Sequence, residues 1–171
     1  MILTVDELRS VVELSDVPSD QLTRICNGIE DFIRQYTNNT FTVKNITYNT
    51  PIIDGKLDNV SPMFKEGDTI LLSKSKYNDG VYVIEEMDGT LDVELFDEGD
   101  VKVTLVKYPK AIKVGVINLI KYNVRMDDKV GISSESISRH SVSYSGIGND
   151  GIGGYPSSLM SFLKPYMKAR F

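Results

Sequence analysis

The spacing of the apolar residues changes twice along this chain of 171 residues, and this change constrains the fold more than any other feature. Up to about residue 40, apolar residues recur every three or four positions, which is typical of amphipathic helices. Between about 41 and 107 they alternate with polar residues, as in half-buried strands. From Pro109 the helical spacing returns. The pattern predicts a helical frame interrupted by a β segment.

Local signals mark where the predicted helices begin. Thr4 and Glu7 have the spacing of a capping box, which satisfies the first backbone amides of a helix. Ser19 is predicted to be the N-cap of a second helix, which carries its apolar stripe between Leu22 and Tyr36. Pro109 is well placed in the first turn of a third helix, because proline has no amide hydrogen to donate there.

The middle segment predicts five short strands separated by glycine- and asparagine-containing turns. Their spacing of roughly ten residues suggests a small antiparallel β-barrel or sandwich. The predicted strands are Thr42–Tyr48, Thr69–Ser73, Val81–Ile84, Leu91–Leu95 and Val101–Leu105.

The C-terminal part is polar and rich in serine and glycine. Ile132–Ser145 alternates only loosely, which favours an exposed extended arm over a core strand, and Gly146–Gly154 predicts a flexible loop. Pro156 begins a last short helix that is interrupted at Pro165. The predicted class is α+β, with a small antiparallel helical bundle frame, an inserted β-barrel or sandwich and an extended C-terminal arm.

The predicted domains follow from these changes. The helical domain is discontinuous, comprising residues 1–40 and 108–171, with its arm at 132–171, and residues 41–107 form an inserted acidic β domain. Between Asp54 and Asp100 there are 13 acidic and 4 basic residues, whereas the rest of the chain has 11 acidic and 15 basic residues. The acidic balance argues against a nucleic-acid grip by the insert, because such binding depends on Lys and Arg at the phosphates.

No catalytic or metal-binding constellation is found. The glycines of Gly146–Gly151 match the dinucleotide fingerprint as a string, but the sequence ends before the acidic residue that should follow about 20 positions later. His140 is the only histidine and Cys26 the only cysteine, so no standard zinc set can form. Cys26 is predicted to be a small buried apolar residue. We therefore predict no enzyme, no cofactor and no metal, with a hydrolase as a minor alternative.

The cellular setting is only broadly indicated. A single cysteine excludes an internal disulfide. No apolar run is long enough to cross a membrane, and no secretion signal is recognisable. These features predict synthesis in a cytoplasm and no membrane partner.

The sequence ends in a basic and aromatic tail. It would suit contact with a nucleic acid or a protein partner, because aromatic residues and arginine are favoured at the centres of interfaces. A solvated helix end explains the same residues equally well. They are Phe162, Lys164, Tyr166, Lys168, Arg170 and Phe171.

Three segments, taken in order, resemble the head–tail connector proteins of tailed bacteriophages, also called adaptor or head completion proteins. The first is Leu3–Arg9 with Ile29–Thr37, the second is Gly131–Tyr144, and the third is Tyr155–Tyr166. With the helix from Pro109 they cover about 100 of the 171 residues. The middle segment is similar to a β insertion seen in some members of the family.

The resemblance implies a homo-oligomeric ring, with twelvefold symmetry expected, beneath the portal vertex of the capsid. Such a ring lengthens the DNA channel and carries the stopper or the tail. The implied partners are further copies of the chain, the portal protein and a stopper or tail-completion protein, while genomic DNA passes without sequence-specific binding. The implied location is the neck of the virion; whether the isolated chain is monomeric is left open.

By position in the family, the contact elements would be Ser133–Tyr144 and Tyr155–Phe171. The candidate partner-binding residues are Ser136, Arg139, Tyr144, Tyr155, Phe162, Lys164, Tyr166, Lys168, Arg170 and Phe171.

Two alternatives remain open at the level of sequence. One is another neck protein, either a stopper or a tail-completion factor. The other is a small β-barrel that binds nucleic acid or oligosaccharide, for which Tyr48, Tyr77 and Tyr82 supply aromatic side chains.

Overall fold

The protein combines helices with an antiparallel sheet. The computed structural model describes residues 1–13, 17–127, 134–137, 140–143 and 151–169.

The chain divides into two compact units. The sheet unit consists of Met1 and Thr40–Tyr108, and the helical unit consists of Ile2–Asn39 and Pro109–Phe171. Among the described residues the helical unit contains α1 (Val5–Val11), α2 (Ser19–Thr37), α3 (Lys110–Asp127), α4 (Ser157–Met160) and a 3-10 helix (Ser161–Tyr166). The sheet unit contains β1 (Thr42–Ile53), β2 (Lys56–Leu57), β3 (Thr69–Ser73), β4 (Gly80–Val83) and β5 (Glu98–Val106). A separate hairpin is formed by β6 (Ser134–Ile137) and β7 (His140–Ser143).

The beginnings of the first two helices differ in their capping. The predicted capping box is confirmed in α1, since Thr4 Oγ1 accepts from the Glu7 amide at 3.1 Å and Glu7 Oε2 accepts from the Thr4 amide at 3.2 Å. The predicted N-cap of α2 is wrong. Pro18 occupies the cap position and Ser19 is the first helical residue. Pro18 has the extended ψ of 144° that a cap residue needs, and its carbonyl accepts from the Leu22 amide.

The apolar stripe of α2 is confirmed as the buried face of that helix. Leu22, Cys26, Ile29 and Ile33 recur at spacings of three or four residues and are each no more than 4% exposed. The helix ends where Asn38 adopts the left-handed conformation, with a φ of 49°. Cys26 is thus a buried apolar residue, as predicted.

The five strands of the sheet unit are all antiparallel, in the order β2-β1-β5-β3-β4. β1 pairs with β5 from Thr42 opposite Val106 to Ile52 opposite Glu98, with a register shift on either side of Thr47–Thr50. Such irregularities bend a strand and increase its twist. The sheet is a curled half barrel whose edges are β2 and β4, and not a closed barrel or a two-layer sandwich.

One predicted strand is wrong. Leu91–Leu95 is irregular apart from an isolated bridge between Leu91 and Ile84. Leu91 and Leu95 are buried, but Val93 between them is 55% exposed, so the run does not alternate as a half-buried strand does. The polar groups of this run bond instead to the ends of strands and to turns. For example, Asp92 Oδ1 accepts from the Val83 amide at 2.9 Å.

The strand β2 was not predicted, and it depends on a glycine. Gly89 has a φ of +99°, and its carbonyl accepts from the Leu57 amide at 3.1 Å. A Cβ atom at Gly89 would lie 1.9 Å from the Leu57 carbonyl oxygen. Only glycine allows the turn that contains it to pack this closely on β2.

The predicted extended arm takes other forms where it is described. Ser134–Ile137 and His140–Ser143 pair with each other as a two-stranded hairpin, with Ser134 opposite Ser143. Ser157–Tyr166 is helical, which confirms the short helix predicted after Pro156, and its Met160 and Leu163 are buried in the helical unit. The burial of these two side chains explains why this segment folds back.

Candidate functional site

An open cleft of about 300 Å³ lies on the helical unit. It is bounded by α2, by α3 and by the turn that precedes α4. Its lining residues are Arg24, Ile25, Gly28, Ile29, Phe32, Asn123, Gly153 and Tyr155. This volume is at the lower end of the range for small-molecule sites, which is roughly 300–1,000 Å³. The cleft therefore suits a single side chain of a partner better than a large cofactor.

A tight turn holds Tyr155 at the cleft. The backbones of Ile152 and Tyr155 exchange two hydrogen bonds, of 2.8 and 3.0 Å, around Gly153 and Gly154. Both glycines have positive φ, of 58° and 87°, which favours residues without a Cβ atom. At Gly153 a Cβ atom would also lie 2.4 Å from the ring of Phe32. The turn and α2 are thus in direct contact because position 153 is glycine.

Aromatic rings and an amide fix the Tyr155 side chain. Its ring centroid is 6.3 Å from that of Phe32 and 6.0 Å from that of Tyr122. Asn123 Nδ2 donates to the Tyr155 hydroxyl at 2.8 Å. Burial raises the pKa of Tyr155, although the hydrogen bond from Asn123 acts in the opposite direction. The hydroxyl is therefore neutral at physiological pH and still has a proton to donate.

The cleft combines an apolar wall with a positive charge. Arg24 is exposed at its rim and has no hydrogen-bond or ion-pair partner among the residues that the structure describes. Gly28 leaves open space, since nothing lies within 4 Å of the position of its Cβ atom. An aromatic or aliphatic side chain next to a carboxylate would match these surroundings, because the apolar group is buried while the carboxylate pairs with the guanidinium.

The C-terminal segment is anchored to the end of α2. Asn39 Nδ2 donates to the Tyr166 carbonyl at 3.0 Å, and the Lys168 amide donates to the Thr37 carbonyl at 2.8 Å. Phe162 packs on α3 at Gly115, where a Cβ atom would lie only 2.3 Å from its ring. The segment is thus part of the helical unit.

The predicted partner-binding residues are distributed unevenly. Tyr155 lines the cleft, while the C-terminal residues Phe162, Lys164, Tyr166 and Lys168 lie on the anchored segment, with both lysine side chains exposed. Ser136 lies in β6, opposite Ser141. Arg139, Tyr144, Arg170 and Phe171 lie outside the described residues.

Sequence reasoning missed the partners of Tyr155. Arg24 and Phe32 are eight positions apart on α2, and Asn123 comes from a distant part of the chain. The only local signal was the Gly-Gly pair before Tyr155, which is typical of a tight turn.

A second surface feature lies on the sheet unit. Tyr77 is 58% exposed and Phe96 is 70% exposed, and their ring centroids are 6.2 Å apart in an edge-to-face arrangement. We call this pair the aromatic knob. Lys76 Nζ lies 4.8 Å from the centre of the Tyr77 ring, at cation–π distance.

A hydrogen-bond network holds the aromatic knob. Asn78, only 3% exposed, accepts from the Phe96 amide at 2.9 Å and donates to the Phe96 carbonyl at 2.8 Å. Its amide group also donates to Glu98 Oε1 at 2.7 Å. Glu98 accepts in addition from the Ser75 hydroxyl and from the Lys76 amide. The two loops that carry the knob are therefore tied together.

The carboxylate of Glu98 is the charged centre of this network. Burial raises its pKa, but the hydrogen bonds from Ser75, Lys76 and Asn78 and the charge of Lys76 act against it, so the pKa is lowered overall. Glu98 is thus ionised at physiological pH, and its hydrogen bonds are charge-assisted.

The other two tyrosines named for a binding barrel have structural roles. Tyr48 packs edge-on against Phe64 and donates to the Asn59 carbonyl, and Tyr82 donates to the Asn78 carbonyl. Both are partly buried, so only Tyr77 of the three is well exposed.

Comparisons with known proteins leave the family of this chain undetermined. No protein-family model matches it, and no curated protein matches it significantly. Within the described ranges, none of the helices is both long and apolar enough to cross a membrane. The same part of the chain contains no group of three histidine, cysteine or acidic residues placed to hold a metal ion.

Proposed function

We propose that the chain is a structural protein of the neck of a tailed bacteriophage. Its copies form a ring, twelvefold by expectation, that joins the portal to the tail or to a stopper and extends the DNA channel. The helical unit is the bundle frame of the ring subunit, and the acidic sheet unit is an insertion in it. The protein has no catalytic task in this assignment.

One observation carries the proposal: two of the three segments that resemble connector proteins pack together. Ile29–Thr37 lies in α2 and Tyr155–Tyr166 forms the turn, α4 and the 3-10 helix. Tyr155–Tyr166 is bonded just beyond the end of α2, where Asn39 donates to the Tyr166 carbonyl, and it contacts α2 itself where Tyr155 packs on Phe32. Segments that resemble a family in order and also contact each other support a common fold.

The charge of the sheet unit is consistent with a DNA passage. Between Asp54 and Asp100 there are 13 acidic residues and only 4 basic residues. Like charges repel the phosphate backbone, so such a unit would not hold the DNA as it moves. We infer that the sheet unit lies outside the channel or repels DNA inside it.

The test is to add the purified protein to DNA-filled capsids that lack tails and to image the portal vertex by electron cryo-microscopy. We expect a ring of new density directly below the portal. Complete virions, in which the neck is already occupied, are the matched control and should take up no protein. Tailless capsids whose portal vertex stays unchanged would refute the proposal.

A second experiment separates the neck function from the nucleic-acid alternative. We expect no mobility shift of single-stranded DNA at moderate salt, since the acidic sheet unit offers few cations to the phosphates. A shift that disappears in the Tyr77→Ala variant would instead favour a binding sheet.

A further inference from the structure

We propose that the aromatic knob of one copy docks in the cleft of a second copy, with Phe96 against Phe32 and Tyr155 and with Asp97 beside Arg24. This contact is the interface between neighbouring copies in the ring. Its role in a virion rests on the proposed function.

The knob has the properties of a docking element. Phe96 exposes 70% of its surface, yet both of its backbone polar groups are bonded to the buried Asn78 side chain. A loop whose backbone is already held in place loses little conformational freedom when its side chain binds. Exposed aromatic residues, phenylalanine included, are enriched at the centres of protein interfaces.

The cleft has the complementary properties. Its volume of about 300 Å³ admits one aromatic side chain. Phe32 and Tyr155 offer ring faces and edges to such a side chain, and aromatic pairs prefer tilted or edge-on packing. Gly28 leaves the cleft open on the side of α2, since nothing lies within 4 Å of its Cβ position.

Opposite charges lie directly beside Phe96 and at the rim of the cleft. Asp97 directly follows Phe96, is exposed, and accepts from the Gly55 amide at 2.8 Å, which fixes its carboxylate next to the knob. Asp79, one residue beyond Asn78, is likewise exposed. Arg24 at the rim of the cleft has no partner among the described residues. An arginine and a carboxylate brought together in this way orient a contact and exclude wrong partners.

A second copy of the chain is the occupant that these observations favour. Knob and cleft are different surfaces, so the contact is head-to-tail, and head-to-tail contacts generate rings when the rotation between copies closes. The sign of the charge agrees, because the stretch between Asp54 and Asp100 has an acidic excess whereas the rest of the chain has a smaller basic excess. Each copy thus carries both halves of the contact.

Two variants test the knob and the cleft separately. Phe96→Ala removes the knob, and its exposure means that folding is not at risk. Gly28→Phe adds a ring to the lining of the cleft, at a position where nothing lies within 4 Å of the Cβ atom. Met63→Ala, which truncates another exposed apolar side chain of the sheet unit, is the matched control.

Sedimentation velocity from micromolar to millimolar protein is the measurement. We expect wild type and Met63→Ala to self-associate, and each of the other two variants to associate at least ~30-fold more weakly, as for loss of a hot-spot residue. An equimolar mixture of Phe96→Ala and Gly28→Phe should form a dimer and nothing larger, because only one intact knob and one intact cleft can meet.

Exchanging the charges tests the pairing itself. Asp97→Arg and Arg24→Asp should each weaken association, and the double variant should restore it. A wild type that stays monomeric over the whole range, single variants that associate like wild type, or a double variant without restoration would each overturn the proposal.

The capsid experiment distinguishes this contact from the function on which it rests. If Phe96→Ala still builds a complete ring on tailless capsids, the neck function stands and the knob contact is wrong. If wild type self-associates through the knob but leaves the portal vertex bare, the contact stands and the neck function is wrong.

Discussion

Asn78 is expected to hold the two loops of the aromatic knob together, and Asn78→Ala tests this directly. The side chain is 3% exposed and makes three hydrogen bonds, of 2.9 and 2.8 Å with the Phe96 backbone and of 2.7 Å with Glu98 Oε1. Alanine removes all three and leaves the Phe96 amide and carbonyl without protein partners.

The magnitude follows from the surroundings of each bond. A net contribution of about 1 kcal/mol is usual for an intramolecular hydrogen bond, and more when a buried group is left unsatisfied. Phe96 is largely exposed, so water can replace part of what its backbone loses. The bond to Glu98 is likewise weakened by solvent. We therefore expect the free energy of unfolding to fall by about 2–3 kcal/mol.

Two measurements check this expectation. Urea unfolding followed by far-UV circular dichroism gives the free energy, and hydrogen exchange of the Phe96 amide reports the local effect. Asn45→Ala, which truncates an exposed asparagine on β1, is the matched control and should change the stability by less than ~0.5 kcal/mol. An Asn78→Ala protein of unchanged stability with a protected Phe96 amide would refute the role given to this network.

Three further predictions concern other parts of the fold. Gly115→Ala should destabilise the helical unit by about 1–3 kcal/mol and speed proteolytic release of the C-terminal segment, because its Cβ atom would lie 2.3 Å from the Phe162 ring. Gly28→Ala is its control and should not destabilise, since no atom lies within 4 Å there. The pKa of Glu98 is lower in the folded than in the unfolded chain, so its stabilisation is present above the ordinary carboxylate range and is lost on acidification. The free energy of unfolding should therefore fall below about pH 4, and less steeply in Glu98→Gln; equal slopes in a pH series of urea titrations would contradict this. Burial raises the pKa of the Cys26 thiol, and the charge of Glu30 raises it further, so a thiol reagent should react with it only at the rate of unfolding, and rapid labelling of the native protein would count against its burial.

The capping box and the strand β3 show what local sequence can specify. Thr4 and Glu7 satisfy each other's backbone amides within one turn, so the pattern needs no tertiary partner. Thr69–Ser73 was predicted with the bounds that the structure has, because its apolar residues and its flanking turn residues agree. The prediction of the N-cap of α2 was wrong because either Pro18 or Ser19 can occupy the cap position, and only the backbone geometry decides between them.

The sequence by itself determined where helical spacing changes to strand spacing, since the periods of 3.6 and 2 follow from the local geometry of the backbone. It also determined the acidic character of the segment from Asp54 to Asp100. Tertiary structure alone decided that Leu91–Leu95 is irregular, because the Leu95 amide bonds to the Gly55 carbonyl and the Asp92 amide bonds to the Val83 carbonyl. It alone brought Arg24, Asn123 and Tyr155 to one cleft, and it alone placed Tyr77 beside Phe96. Such contacts join residues far apart in sequence, and no local period or spacing encodes them.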